Sequence, residues 1–205
     1  MNKLFVSLLL TIGVAGAAHA AQPIKGDAAA GQGKTAICGA CHNPDGNSLA
    51  PNFPKLAGQG ERYLEKQLHD IKSGKRQVLE MTGMLAGLSD QDIADIAAYF
   101  ASQKGSVGAA DPQWVERGQA LFNGGDLDKG MPACTGCHSP DGAGLALAGF
   151  PHLSGQHAQY VSKQLTDFRE GNRTNDGDAM TMRSIASKLS NKDIEALSSY
   201  IQGLH

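Results

Sequence analysis

Cys38-Gly39-Ala40-Cys41-His42 and Cys134-Thr135-Gly136-Cys137-His138 are two copies of one pentapeptide, C-x-x-C-H, and they use all four cysteines of this 205-residue chain. Two thiols at this spacing, with a histidine directly after the second, form the attachment site of a c-type haem: the thiols add to the two vinyl groups and the imidazole coordinates the iron. Two rival chemistries use the same residue types. A Cys/His zinc site needs a tetrahedral set of thiolates and imidazoles, which an oxidising compartment disfavours. A thioredoxin-like redox pair needs a βαβ surround, and no strand alternation is visible anywhere. The pentapeptides therefore predict two haem c groups, one on Cys38 and Cys41 with His42 as iron ligand, one on Cys134 and Cys137 with His138.

The N terminus supports that assignment. Lys3 gives a short positive region, Leu4 to Ala18 is almost wholly apolar or small, and Ala18-His19-Ala20 is an A-x-A cleavage site. This reads as a secretory signal peptide over 1–20, too short in its apolar run for a membrane span, and it predicts a periplasmic protein. The whole chain carries 18 basic and 20 acidic residues. Removing Lys3 leaves 17 against 20, a net charge of −3, so no basic surplus points to nucleic acid. Aromatic residues make up only 5% of the chain. A domain of about 90 residues so poor in aromatics buries a modest core, and a cofactor helps to fill it.

The repeat extends beyond the pentapeptides. Phe53-Pro54-Lys55-Leu56-Ala57-Gly58-Gln59 returns as Phe150-Pro151-His152-Leu153-Ser154-Gly155-Gln156, and Tyr63, Lys66, Gln67, Leu68, Asp70, Gly74 and Arg76 return as Tyr160, Lys163, Gln164, Leu165, Asp167, Gly171 and Arg173, all at an offset of 97. Leu88-Ser89, Asp92-Ile93 and Tyr99 return as Leu189-Ser190, Asp193-Ile194 and Tyr200 at an offset of 101, so the second copy holds four extra residues between Arg173 and Ser190. Such self-similarity marks tandem units. The expected organisation is a first domain over 21–105, a linker over 106–112 within a small, polar, glycine-containing stretch, and a second domain over 113–205.

Each copy reads as all-α. Asp111-Pro112 is an N-cap and first-turn pair ahead of Trp114, Val115, Gly118, Leu121 and Phe122, and the first copy is expected to open likewise as a helix from Asp27 through Ile37. Middle helices are expected over 61–73 and 158–170, each with an apolar face and a glycine stop, Gly74 or Gly171. The last helices begin at Ser89 and Ser190, where the serine and the aspartate three residues on form a variant capping box.

The iron's other axial ligand decides between electron transfer and ligand chemistry. The first copy offers Met81, Met84 and His69; the second offers Met131, Met180, Met182, His152 and His157. Met81 precedes Ser89 by eight residues and Met182 precedes Ser190 by eight, whereas Met84 and Met180 have no matched methionine. The histidines fail the same test, since Lys55, Gly60 and Thr166 stand opposite His152, His157 and His69. Met81 and Met182 are therefore the expected ligands. Beyond the ligands, the carbonyls of Pro54 and Pro151 are expected to accept the other ring N–H of His42 and His138. Arg76 and Arg173, matched positions ahead of each methionine loop, are the candidates for pairing with haem propionates.

The segments GQGKTAICGACH (31–42), NFPKLAGQGERYL (52–64), MPACTGCHSPDG (131–142), SGQHAQYVSKQLTDFREGNRTNDGD (154–178) and LSNKDIEALSSYIQGLH (189–205), in a tandem C-x-x-C-H chain behind a signal peptide, resemble the cytochrome c4 family over essentially the whole mature chain. The resemblance implies two class I cytochrome c domains related by a pseudo-twofold, with their haems facing each other and His/Met ligation at both irons. It implies a periplasmic electron carrier that takes electrons from a quinol-oxidising cytochrome bc complex and passes them toward a terminal oxidase. The chain is further expected to be a monomer and not an enzyme, because filled iron positions leave none for a substrate, and to meet redox partners or another acceptor at the membrane surface with no transmembrane segment after signal removal. Two rivals share the motifs. A dihaem peroxidase needs one releasable distal ligand and a nearby acid–base group, and no unmatched carboxylate–histidine constellation appears. A dihaem electron-accepting subunit of a dehydrogenase would use the same sites.

Overall fold

The computed structural model describes residues 24–205; the expected signal peptide lies outside them. In the first copy the helices are α1 (Ala28–Gln32), α2 (Ala36–His42), α3 (Glu61–Lys72) and α4 (Asp90–Ser102). In the second they are α5 (Pro112–Gly124), α6 (Thr135–His138), α7 (Ala158–Glu170), α8 (Thr181–Ala186) and α9 (Asn191–Gly203). Short 3-10 turns cover Leu79–Met81 and Ala146–Ala148. The only β pairing among the described residues is two isolated bridges, Asp126 with Met131 and Leu145 with Phe150. The fold is all-α, as the periodicity predicted.

The caps follow from local chemistry. Ser89 and Ser190 each accept from the backbone N–H three residues on, and Asp92 and Asp193 each reach back to the serine N–H, completing both capping boxes. Asp111 accepts from Gln113 N–H at the head of α5, with Pro112 in the first turn. Gly74 and Gly171 follow the middle helices at φ 78° and 77°, the left-handed region that ends a helix at least cost for glycine.

One expectation needs correction. Residues 27–37 do not form one helix: α1 stops at Gln32, and Gly33, Lys34 and Thr35 form a turn before α2. Thr35 Oγ1 donates to the Gln32 carbonyl, and Lys34 swings to Asp92 and Asp95 of α4, 2.6 Å from each. Those side-chain bonds compete with continued helix.

In each copy the opening helix crosses the last one at close range, α1 on α4 and α5 on α9. The contact point is a glycine. A Cβ on Gly31 would fall on the Asp95 carbonyl, and one on Gly118 on the Ala196 carbonyl and Tyr200 Cβ. The middle helices α3 and α7 pack on the same last helices. The two cores are separate. Leu64, Ile96, Ala97, Tyr99 and Phe100 form the first, with Cys38 and Leu68 against it. Leu121, Phe122, Met131, Val161, Leu189, Ile194, Leu197, Ile201 and Leu204 form the second, with Cys134 and Leu165 against it. In both, motif cysteines and middle helix surround an interior that side chains alone do not close.

The connecting stretch is tied down on both sides. Asn47 donates to the Lys104 carbonyl and accepts from Ser106 N–H, while Gly108 N–H donates to the Gln202 carbonyl and Gln202 Nε2 to the Ala109 carbonyl.

Candidate functional site

Each motif sits on a short helix ending at its histidine. Cys38, Cys41 and His42 lie on α2; Cys134 caps α6, which carries Cys137 and His138. All four thiols are free and half-buried. Burial pushes the Cys38 thiol up and that of Cys134 to about 11. After each motif the chain folds back in the same way. Leu56 and Ala57 N–H donate to the Gly46 carbonyl, and Leu153 and Ser154 N–H to the Gly142 carbonyl. That return places Pro54 and Pro151 beside the histidines.

His42 Nδ1 is 2.8 Å from the Pro54 carbonyl and His138 Nδ1 is 3.0 Å from the Pro151 carbonyl. Since a carbonyl can only accept, Nδ1 carries the proton and Nε2 keeps its lone pair, the state a metal takes. Burial lowers the pKa of both imidazoles despite these bonds, which keeps them neutral. Phe53 and Phe150 hold the rings edge-on, at 6.2 and 6.3 Å between centroids.

A single cavity of about 1270 Å³ runs through both copies, larger than the roughly 300–1,000 Å³ of an ordinary small-molecule site. All four cysteines and both motif histidines line it, and so do Met81 and Met182. The other methionines differ. Met180 is outside the lining, half-exposed, and sits in left-handed backbone at φ 48° as the cap of α8. Met131 also lines the cavity but is 1% exposed and packed into the second core, three residues before Cys134. Met84 borders the cavity but is 42% exposed. Neutral imidazoles with bare Nε2, paired thiols and a largely apolar chamber fit a haem in each copy.

Arg76 and Arg173 are buried where the copies meet, not solvated. Arg76 donates to Gln67 Oε1, Tyr160 Oη and Gln164 Oε1, each at 2.9 Å. Arg173 donates to Gln164 Oε1 at 2.7 Å, Gln67 Oε1 at 2.9 Å and Tyr63 Oη at 3.2 Å, and its guanidinium stacks on Phe168. Each arginine thus bonds the glutamine of its own copy, and the glutamine and tyrosine of the other, in a two-fold pattern. Burial opposes ionisation of Tyr63, but the charges of Arg173 and Arg76 outweigh it and lower its pKa. Neither arginine has a carboxylate within ion-pair distance among the described residues.

Reading the sequence for haem ligands passed over the glutamines. Gln67 and Gln164 link the arginines, and Gln59 and Gln156 clasp the opposite copy's backbone. All four belong to the matched segments. The usable signal is polar residues that recur in register where an apolar face should be.

The family model described as "Cytochrome c" matches residues 28–104 and again 115–205. Cytochrome c4 of Pseudomonas aeruginosa is 76% identical over the full length of both chains. Cytochrome c4 of Stutzerimonas stutzeri is 72% identical, again over all of both. The crystal structure of reduced recombinant cytochrome c4 from Pseudomonas stutzeri superposes with a TM-score of 0.87 at 73% identity, covering 88% of this chain and all of that one. With two C-x-x-C-H motifs opening on one cavity in a tandem helical fold, this chain belongs to the cytochrome c4 family of dihaem c-type electron carriers.

Proposed function

We propose that the protein carries single electrons in the periplasm as a monomer, between a quinol-oxidising cytochrome bc complex and a terminal oxidase or other acceptor, and that it catalyses no reaction of its own. The observation that carries this is that His42 and Met81 of the first copy and His138 and Met182 of the second all line one cavity. A bound haem supplies the one-electron iron couple. His42 with Met81 and His138 with Met182 would hold the two irons and leave no position for a substrate, and the thioether would raise the potential. Cys38, Cys41, Cys134 and Cys137 attach the groups. Pro54 and Pro151 orient the imidazoles. Arg76 and Arg173, buried cations that line the cavity, would pair with the propionates, whose charge the guanidinium geometry suits.

The domain limits proposed are 21–105 and 113–205, after removal of 1–20. No helix among the described residues is long and apolar enough to cross a membrane, so the protein is proposed to meet membrane partners from the aqueous side.

The test is redox titration of the purified holoprotein with a carbon monoxide challenge. Two one-electron waves, or one wave broader than a single centre gives, with no rapid carbon monoxide binding to the reduced protein, is the expected result. Turnover of peroxide at an enzymatic rate, or rapid binding of carbon monoxide at either iron, overturns it.

A further inference from the structure

The two methionine loops are anchored differently. In the first copy, among the described residues, the hydrogen bonds of residues 77–87 stay within the loop and the adjoining Leu88: Met81 N–H to the Val78 carbonyl, Thr82 N–H to Leu79, Met84 N–H to Met81, Leu88 N–H to Leu85. In the second copy, the region of the four extra residues reaches across to α3. Asn175 Nδ2 donates to Asp70 Oδ2 at 2.7 Å and to Gln67 Oε1 at 2.9 Å. Lys66 Nζ, paired with Asp70, donates to the Asn175 carbonyl at 2.8 Å. Asn175 is also held from its own copy by Arg173 Nε, at 2.9 Å to Oδ1.

The next residue continues the chain of contacts. The Asp176 side chain is 4% exposed; it accepts from Arg183 N–H at 2.9 Å and Arg183 Nε at 2.7 Å. Arg183 follows Met182 directly and lies with it on α8. The equivalents on α7, Lys163 and Asp167, bond each other through their side chains, with no cross-domain partner among the described residues.

We infer that Lys66 and Asp70 of the first domain are positioning residues for the iron of the second: through Asn175 they clamp the loop that presents Met182, while nothing equivalent clamps Met81. Docking of the two domains then stabilises one methionine–iron bond and not the other. The physical basis is that a loop fixed at both ends loses its alternatives, so its methionine stays near bonding geometry. This rests on the reading of Met182 as ligand.

The experiment uses holoprotein in which only one centre keeps methionine. In a Met81→His background, the remaining long-wavelength methionine–iron charge-transfer band reports the second centre; in a Met182→His background it reports the first. Lys66→Ala and Asn175→Ala are introduced into each, with Lys163→Ala as the mirror variant that removes the same helix-surface pair on α7. Lys66→Ala and Asn175→Ala are expected to shift thermal loss of the second centre's band to lower temperature and to lower its potential, with the first centre unmoved and Lys163→Ala without effect on either. A shift of the first centre, an equal shift of both, or no shift of the second overturns the clamp. If Met182→His leaves the band of the whole protein at full strength, the ligand reading itself has failed, a result separate from failure of the clamp.

Discussion

Gln59 holds His152 at two points: its Nε2 donates to the His152 carbonyl at 2.9 Å, and its Oε1 accepts the His152 N–H at 2.8 Å. Gln156 does the same to Lys55, both bonds at 2.9 Å. Because Gln59 matches Gln156 and Lys55 matches His152, the interface is isologous within one chain, as in a C2 dimer. Each clasped residue follows the proline whose carbonyl orients a motif histidine, so domain docking and the proposed haem ligation share a backbone segment.

Gln59→Ala and Gln156→Ala each remove two cross-domain bonds and strand a backbone pair. The expected cost is about 1–3 kcal/mol apiece, similar for the two by symmetry, and the double variant should resolve a single calorimetric transition into two. An unchanged scan for the double variant would show that the clasp does not hold the domains together.

Met81→His and Met182→His should each convert one centre to bis-histidine and lower its potential, each removing about half of the methionine–iron band. Met84→Leu and Met180→Leu should leave the band intact, because Met180 lies outside the cavity and Met84 at its exposed edge. Visible spectroscopy of the four oxidised variants checks this.

Gly118→Ala should destabilise the second domain by about 1–3 kcal/mol, since the added methyl meets α9 backbone that cannot yield. Gly124→Ala, at the end of the same helix with nothing near the added carbon, should be neutral or stabilising by up to about 1 kcal/mol. Denaturant melts of the pair give the contrast.

Burial opposes ionisation of Asp193, but hydrogen bonds from Arg117, Ser190 and Lys129 outweigh it and hold its carboxyl well below the usual carboxylate range. A depressed folded-state pKa contributes stability that is present above the unfolded value, about 3.9, and is lost as pH falls toward the folded one. Asp193→Asn should therefore lower the thermal midpoint most near neutral pH, and the gap to the parent protein should narrow below about pH 4. A gap that stays constant down to about pH 2 would contradict it.

Residues near one another in sequence decided much of this protein. Cofactor attachment is written in the spacing Cys38-x-x-Cys41-His42 and its copy, because two thioethers and one imidazole must reach one porphyrin from one turn of chain. The capping boxes at Ser89 and Ser190, the helix ends at Gly74 and Gly171, and the equivalence of Met81 with Met182 are likewise local or repeat-matched. The turn at Gly33 to Thr35 was not legible, since Lys34 leaves the helix only because Asp92 and Asp95, some sixty residues on, stand where it can reach them. The same holds for the burial of Arg76 and Arg173, the clasps of Gln59 and Gln156, and the reach of Asn175 to Asp70. These pairings arise from how two folded faces meet, and hydropathy or helical period carries no record of a partner supplied by the other domain.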